Sequence, residues 1–321
     1  MGQREIDEKY MRRCLQLAQC GRLGAAPNPM VGAVVVCKGR IIGEGYHRRC
    51  GEAHAEVNAI ASVEEPELLC QSIIYVSLEP CAHYGKTPPC AQLIIDKGIP
   101  QVVVGCRDPF ARVDGRGIQM LRDAGIEVRE GVLEQECLWL NRRFITFHTQ
   151  RRPYITLKWA QSEDGYIDLQ RENADRPPVH FSTPTTQALV HQLRAEHEAI
   201  LIGRRTWELD RPGLTVRYWH GRDPLRVVLS SEPLPCEGMT SYRTREEALA
   251  NLWQQGIQSL LVEGGARTLQ GFIDAELWDE ARIETVPIRL GSGIAAPKIG
   301  GKVVRTNIID GNSIAYIQKK S

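Results

Sequence analysis

Two thiols sit in a segment stiffened by proline. The stretch PCAHYGKTPPC, residues 80–90, places Cys81 and Cys90 among Pro80, Pro88 and Pro89, straight after the apolar run SIIYVSLE. One strand upstream, the triplet HAE sets His54 two residues before Glu56. Isolated cysteines are mostly small buried hydrophobes, so the pair alone would mean little. Thiolate and imidazole together, however, are what a zinc ion takes, and a catalytic zinc keeps three protein ligands so that water fills the fourth position. His54, Cys81 and Cys90 form such a set, and Glu56 is a spare carboxylate able to take and return a proton. A structural site would want a fourth protein ligand. His83 could supply it, but Glu56 would then have no task.

Helix geometry restricts where these residues sit. Positions 54 and 56 lie about 200° apart on a helix, so both reach one metal only from a first turn, with the ion beyond the helix end. If Cys90 likewise opens a helix, two positive helix ends favour the thiolate forms, and the prolines fix the loop backbone before metal arrives. An HxE triplet followed by PC and a second cysteine is the pattern of zinc nucleobase deaminases, here with eight residues between the cysteines instead of two. In that chemistry zinc acidifies a water, the hydroxide attacks an amino-bearing ring carbon, and Glu56 passes the proton to the amine, which leaves as ammonia.

The elements that must hold these residues are legible in outline. Helical periodicity runs from Ile6 to about Ala18, and PNPMVGAVVVCKGRIIGEGYH reads as two strands around a turn at Lys38 and Gly39. A helix over about 53–63, a strand over 73–78, a helix over about 91–97, the strand QVVVGC, a helix near 118–124 and a short strand in GIEVREGV follow. Alternating strands and helices predict a three-layer α/β domain. The charged TQRRP near residue 150 marks a boundary, giving domains over 1–148 and 149–321. Beyond it, strands (AILIG, LRVVLS, SLLVEGG, EARIETV) again mix with helices (TTQALVHQLRAEH, REEALANLWQQG, LQGFIDAEL).

Bulk composition narrows the function classes. The 321 residues carry 40 Lys+Arg against 39 Asp+Glu, a balance that argues against a nucleic-acid substrate, which needs a positive face. No apolar run approaches a membrane span, and the start lacks a signal-peptide pattern, so a cytoplasmic protein is expected. Ten cysteines in a reducing compartment read as free thiols or metal ligands.

The motifs PNPMVGAVVV, GEGYHRRCGEAHAE, SLEPCAHYGKTPPC and DPFARVDGRG resemble the deaminase half of the bifunctional riboflavin biosynthesis enzymes of bacteria, whose second half is a reductase. The resemblance runs over nearly the whole chain. It implies a cytidine-deaminase-like domain followed by a dihydrofolate-reductase-like α/β domain. It also implies Zn²⁺ and NADPH as cofactors. The substrate would be a diaminohydroxypyrimidine ribosylamino 5-phosphate, deaminated and then reduced to the ribityl compound. By the same match Asn28, His47, Lys86 and Asp108 contact the pyrimidine and ribose phosphate. Members commonly carry Asn after DP; here Phe110 follows.

In the second half LKWAQSEDG, HQLRAEHEAILIG, RTWELDRPGLTVR and LVEGGA resemble the reductase motifs. That match places Ala160, Thr206, Asp210, Ser230 and the run Gly265, Ala266, Arg267, Thr268, Leu269, Gln270, Gly271 along NADPH. It places Arg194, Leu214, Arg217 and Glu263 on the substrate. Arg194 and Arg217 suit a phosphate clamp, since guanidinium forks pair with phosphate oxygens; the bland reading of Arg194 is a solvated helix residue. Lys158, in an apolar strand, is expected to polarise the sugar carbonyl or imine with Asp164 nearby, the alternative being a solvent-facing lysine on an edge strand. Where the family carries a GESxWI stretch this chain has RPPVHFSTP, with Pro178 and His180 at the serine and tryptophan positions. Two other readings stand beside this one. One is a zinc deaminase whose second domain binds a nucleotide without reducing anything, and the other is a non-catalytic binding protein that keeps the fold. The partner is a small molecule, with no nucleic acid or membrane, and a homo-oligomer is left open.

Overall fold

The computed structural model describes residues 2–83, 88–109, 115–232, 234 and 238–320. The chain divides into two compact units, Met1–Gln150 and Arg151–Ser321.

Unit 1 runs α1 (Gln3–Gln19), β1 (Gly32–Cys37), β2 (Arg40–Tyr46), α2 (Ala55–Ala61), β3 (Ser72–Leu78), α3 (Cys90–Asp96), β4 (Gln101–Cys106), α4 (Arg116–Asp123), β5 (Glu127–Arg129), α5 (Glu134–Leu140) and α6 (Arg142–Gln150). Its five strands lie in the order β2-β1-β3-β4-β5, antiparallel across β2, β1 and β3 and parallel from β3 to β5. The β1–β2 hairpin turns at Lys38 and Gly39, both at positive φ (47° and 77°), where glycine meets no steric penalty. Side-chain alternation builds the layers. Val35, Ile74 and Val104 pack with Ala59 of α2, Ile94 of α3 and Leu121 of α4. Val34, Tyr75 and Val103 pack with Met11 and Cys14 of α1 and Cys137 of α5. This is the three-layer arrangement that the sequence predicts.

Unit 2 runs β6 (Tyr154–Ser162), β7 (Tyr166–Asp168), α7 (Pro184–Ala195), β8 (Ala199–Gly203), α8 (Arg204–Asp210), β9 (Leu225–Leu229), β10 (Thr240–Tyr242), α9 (Arg245–Gln254), β11 (Ser259–Val262), α10 (Ala266–Asp274), β12 (Glu280–Val286), β13 (Ile294–Ala295), β14 (Lys302–Ile309) and β15 (Asn312–Gln318). Eight strands form one sheet in the order β10-β9-β8-β11-β6-β12-β15-β14, parallel from β10 to β12 and closed by an antiparallel hairpin. Leu157, Leu201 and Leu260 pack beneath α9 and α10 on one face, while Ile200, Ile202 and Leu261 meet Leu193 of α7 on the other. Lys158 lies on β6, an interior strand, so the edge-strand alternative for it is overturned.

Candidate active sites

The first site is assembled at two helix starts. His54 caps α2 in extended conformation, Glu56 follows in its first turn, and Cys90 is the first residue of α3. Gly43 and Gly45 let β2 run against α2: a Cβ on Gly45 would lie 2.3 Å from the Ala59 nitrogen. His54 Nδ1 is 3.6 Å from Cys81 Sγ and 3.3 Å from Cys90 Sγ, and the Cys90 N–H donates to Cys81 Sγ at 3.3 Å. All three donor atoms fall within 4.8 Å of one another. Zinc bonds of about 2.0–2.3 Å make tetrahedron edges of roughly 3.5 Å, so the donor set fits zinc in both chemistry and spacing. Among the described residues the cluster has these three members, and His83 is exposed and outside it. The fourth-ligand alternative is thus unsupported.

Electrostatics separate the roles of the neighbours. Glu56 is 3% exposed, and burial, with the Cys81 charge adding to it, pushes its carboxyl up to about 7. Cys81 is pulled down by hydrogen bonding from Cys90 and from His54, while Cys90 is held as the thiol by that same bond and by burial. Hydrogen bonding to Cys81 raises His54. His47 bonds the Ala53 carbonyl through Nδ1 (3.1 Å) and meets the Asn28 amide nitrogen at Nε2 (3.1 Å). A carbonyl only accepts, so Nδ1 carries the proton and Nε2 accepts from Asn28. Burial lowers the His47 pKa, in keeping with a neutral ring, and that ring stands edge-on to His54 with centroids 5.4 Å apart. Asn28, His47, His54, Glu56, Cys81 and Cys90 are therefore contiguous. Asp108 is buried beyond the end of β4, and Lys86 and Phe110 lie outside the described residues.

Sequence reasoning missed Glu79. This buried carboxylate at the end of β3 accepts from the backbone N–H groups of Asp108, Gly115, Gly117 and Ile118 at 2.9–3.4 Å. It thereby holds the first residue of the DPFARVDGRG motif and its closing glycines together. Gly117 is required there, since a Cβ would lie 1.9 Å from the Pro80 carbonyl oxygen.

The second site is a cleft of about 680 Å³ over the ends of β6, β8, β9 and β11. Such a volume lies within the range of about 300–1,000 Å³ that small-molecule and cofactor sites span. Lys158, Ala160, Thr206, Asp210, Ser230, Glu263 and the run from Gly265 to Thr268 line it. The rest of the glycine run does not. Leu269 is fully buried in the core, Gln270 is held by Asp274 and Lys298, and a Cβ on Gly271 would meet Arg245. Thr206 Oγ1 accepts from the Gly265 N–H at 3.1 Å, joining α8 to the loop that starts α10.

Arg194 is no solvated helix residue. It grips Glu263 with two bonds, Nε to Oε1 at 3.0 Å and Nη2 to Oε2 at 2.7 Å, while Nη1 donates to the Thr215 carbonyl at 3.2 Å. Burial opposes both charges. Glu263 is nonetheless held below its usual range by Arg194 and Lys158, and Arg194 is raised by Glu263. Arg217 Nη1 donates to Thr215 Oγ1 at 3.0 Å, and its backbone N–H bonds His191 Nδ1 at 2.9 Å. Leu214 is 2% exposed at φ 52°, packed with Ile200 and Val228. Asp164 does not join Lys158: it accepts from Ser162 Oγ at 2.6 Å and from the Leu290 and Gly291 N–H groups, holding a turn. Pro178 lines the cleft. So does Arg171, missed in the sequence, which is buried and ion-paired to Asp168 and Asp210 at 2.7 Å each.

Comparison with known proteins agrees with this division. Residues 4–106 match the cytidine and deoxycytidylate deaminase zinc-binding region, and residues 153–318 match the RibD C-terminal domain. The chain is 36% identical to the riboflavin biosynthesis protein RibD of Aquifex aeolicus, covering 95% of this chain and 94% of that one. It is 34% identical to RibD of Escherichia coli K12, covering 98% and 88%. Among solved structures it is similar to a diaminohydroxyphosphoribosylaminopyrimidine deaminase/5-amino-6-(5-phosphoribosylamino)uracil reductase of Thermotoga maritima. There the TM-score is 0.88 at 34% identity, covering 99% of this chain and 100% of that one. Acinetobacter baumannii RibD gives a TM-score of 0.89 at 29% identity, covering 99% and 100%.

Proposed function

The chain belongs to the RibD family, enzymes that join a zinc-dependent deaminase to an NADPH-dependent reductase in riboflavin biosynthesis, and from that premise we propose which residues carry each step. The observation that carries the reading is the three-donor cluster of His54, Cys81 and Cys90 beside the buried Glu56. His54, Cys81 and Cys90 hold zinc, which when bound supplies the Lewis acidity that makes a water reactive near neutral pH. Glu56 takes the water's proton and delivers it to the amine at the ring carbon; water is consumed and ammonia released. Glu56, buried in the first turn of α2 beside the three ligands, is placed to take that proton and to return it. Neutral His47 and Asn28 orient the pyrimidine, and Asp108 and Lys86 contact the ribose phosphate.

In the second unit NADPH lies along Ala160, Thr206, Asp210, Ser230 and the 265–268 turn, and supplies the hydride. Arg194, Arg217 and Glu263 hold the substrate, with Arg194 fixed in place by its pair to Glu263. Lys158 gives the proton to the heteroatom of the sugar C=N or C=O bond as carbon takes the hydride, so NADPH and one proton are consumed together. The boundaries 1–148 and 149–321 and a cytoplasmic location are part of this proposal; among the described residues no helix is long and apolar enough to cross a membrane. The test is ammonia release and NADPH oxidation on the diaminohydroxypyrimidine substrate. Zinc content equal to protein and both signals are expected. Ammonia without NADPH oxidation, even with the aminouracil intermediate supplied, would leave the second unit as a nucleotide-binding module and point to Pro178 and His180.

A further inference from the structure

The sheet face of unit 2 turned toward α7 holds a buried arginine whose two terminal nitrogens make no hydrogen bond. Arg282 on β12 is 2% exposed, and neither Nη1 nor Nη2 has a hydrogen-bond partner. Its nearest counter-charge, Glu284 Oε2, is 3.7 Å away. Glu284 is already engaged, accepting from Asn312 Nδ2 at 2.7 Å and from Ser182 Oγ at 3.1 Å. A guanidinium buried with open donors costs folding free energy, so its placement calls for a use.

Strand register supplies one. On the paired parallel strands Arg282 stands opposite Lys158, and Glu284 opposite Ala160. The alternation that sends Leu157, Trp159, Ala281 and Ile283 into the core beneath α9 and α10 sends Lys158 and Arg282 together to the other face. Lys158 reaches the cleft; Arg282 stands behind it. The charged groups around Lys158 are Glu263 after β11, Arg194 from α7, and Arg282 and Glu284 from β12, with His191 of α7 beside Arg194 and Glu263. Arg194 is neutralised by its two bonds to Glu263, whereas Arg282 has the looser 3.7 Å contact to Glu284, whose carboxylate is shared with Asn312 and Ser182.

We propose that Arg282 is a positioning residue for the reductase: its charge, facing Lys158 across the paired strands, repels the Lys158 ammonium from β12 toward the cleft and Glu263, and makes the Lys158 proton easier to give up. This rests on the reading that Lys158 supplies the proton that accompanies the hydride. In support, the Lys158 pKa is lowered, first by burial, with Arg282 and Arg194 adding to it against the opposing pull of Glu263 and of Glu284.

The test uses the full chain with 5-amino-6-(5-phosphoribosylamino)uracil and NADPH, following kcat from neutral to alkaline pH for Arg282→Met, Arg282→Lys and Lys158→Met. Methionine keeps most of the volume, and tryptophan fluorescence of the same sample checks that unit 2 is folded, since five of the six tryptophans lie after residue 150. For Arg282→Met the alkaline fall of kcat moves up by roughly one pH unit, as expected for removing a nearby cation. Arg282→Lys keeps the wild-type profile, and KM changes little in either. A folded Arg282→Met with an unmoved profile overturns the inference. Lys158→Met separately tests the premise: a loss of about 10²–10⁴ in kcat is expected for a general acid, and wild-type turnover would sink the Lys158 reading itself.

Discussion

At the residue scale the proposed roles divide the first site into ligands and a proton carrier, and on that proposal the two kinds fail differently. Glu56→Gln keeps a near-isosteric side chain but cannot accept a proton, so ammonia release falls by about 10²–10⁴ while bound zinc, measured by metal analysis, stays at the wild-type level. Cys81→Ser loses the metal together with the activity. Zinc lost from Glu56→Gln would make the glutamate a ligand and contradict the assignment. His54, Glu56, Cys81 and Cys90 were readable from sequence because few residue types bind zinc and the proline-rich loop marks them. Glu79, Arg171 and Arg282 were not. Glu79 spends its charge on backbone N–H groups that any sequence carries, and Arg171 and Arg282 find their neighbours through sheet and loop packing across long separations. An arginine in a strand pattern looks like an exposed one until the register is known.

At the element scale the site depends on how closely backbones approach. Gly45→Ala would drive β2 off α2, because the clash is with the Ala59 nitrogen and the Ala55 carbonyl rather than with a side chain that can turn away. A cost of about 1–3 kcal/mol is expected for such overpacking, with weaker zinc retention because α2 carries His54; chemical unfolding and metal analysis on one sample check both. In unit 2 the Arg194–Glu263 pair ties α7 to the end of β11. Glu263 is held below the ordinary glutamate value, so its pairing contributes stability that is present above about pH 4.3 and lost as pH falls through the lower folded value. Glu263→Gln leaves Arg194 buried and unpaired, at about 3–5 kcal/mol near neutrality, and the gap to wild type narrows below pH 4.3. Tryptophan fluorescence follows this unit, since five of the six tryptophans (159, 207, 219, 253 and 278) lie after residue 150. A gap that does not depend on pH would contradict the pairing. The parallel interior strands were legible as short apolar runs. The β14–β15 hairpin was not, because β14 is an edge strand exposed along most of its length and shows no alternation of buried and exposed positions. Helix α8 also escaped, as its seven residues bury nothing fully.

At the scale of the whole molecule, fold and activity are those of the RibD family, and each unit carries its own sheet, core and site. Two separate cores make the activities separable. A zinc chelator should abolish ammonia release and leave NADPH oxidation on supplied aminouracil intermediate at its starting rate; loss of both would mean that the reductase needs the metal. The family was readable from long ordered motifs in both halves, whereas the RPPVHFSTP stretch departs from its pattern, and there the sequence could name the position but not its contacts. The structure brings Pro178 into the cleft and ties Ser182 to Glu284. The most direct test of the central claim is one paired assay, ammonia release and NADPH oxidation, on the intact chain and on Glu56→Gln with the aminouracil intermediate supplied. Both signals from the intact chain, and NADPH oxidation without ammonia from the variant, are the predicted result. Undiminished ammonia release by Glu56→Gln, or no NADPH oxidation by either protein, would contradict it.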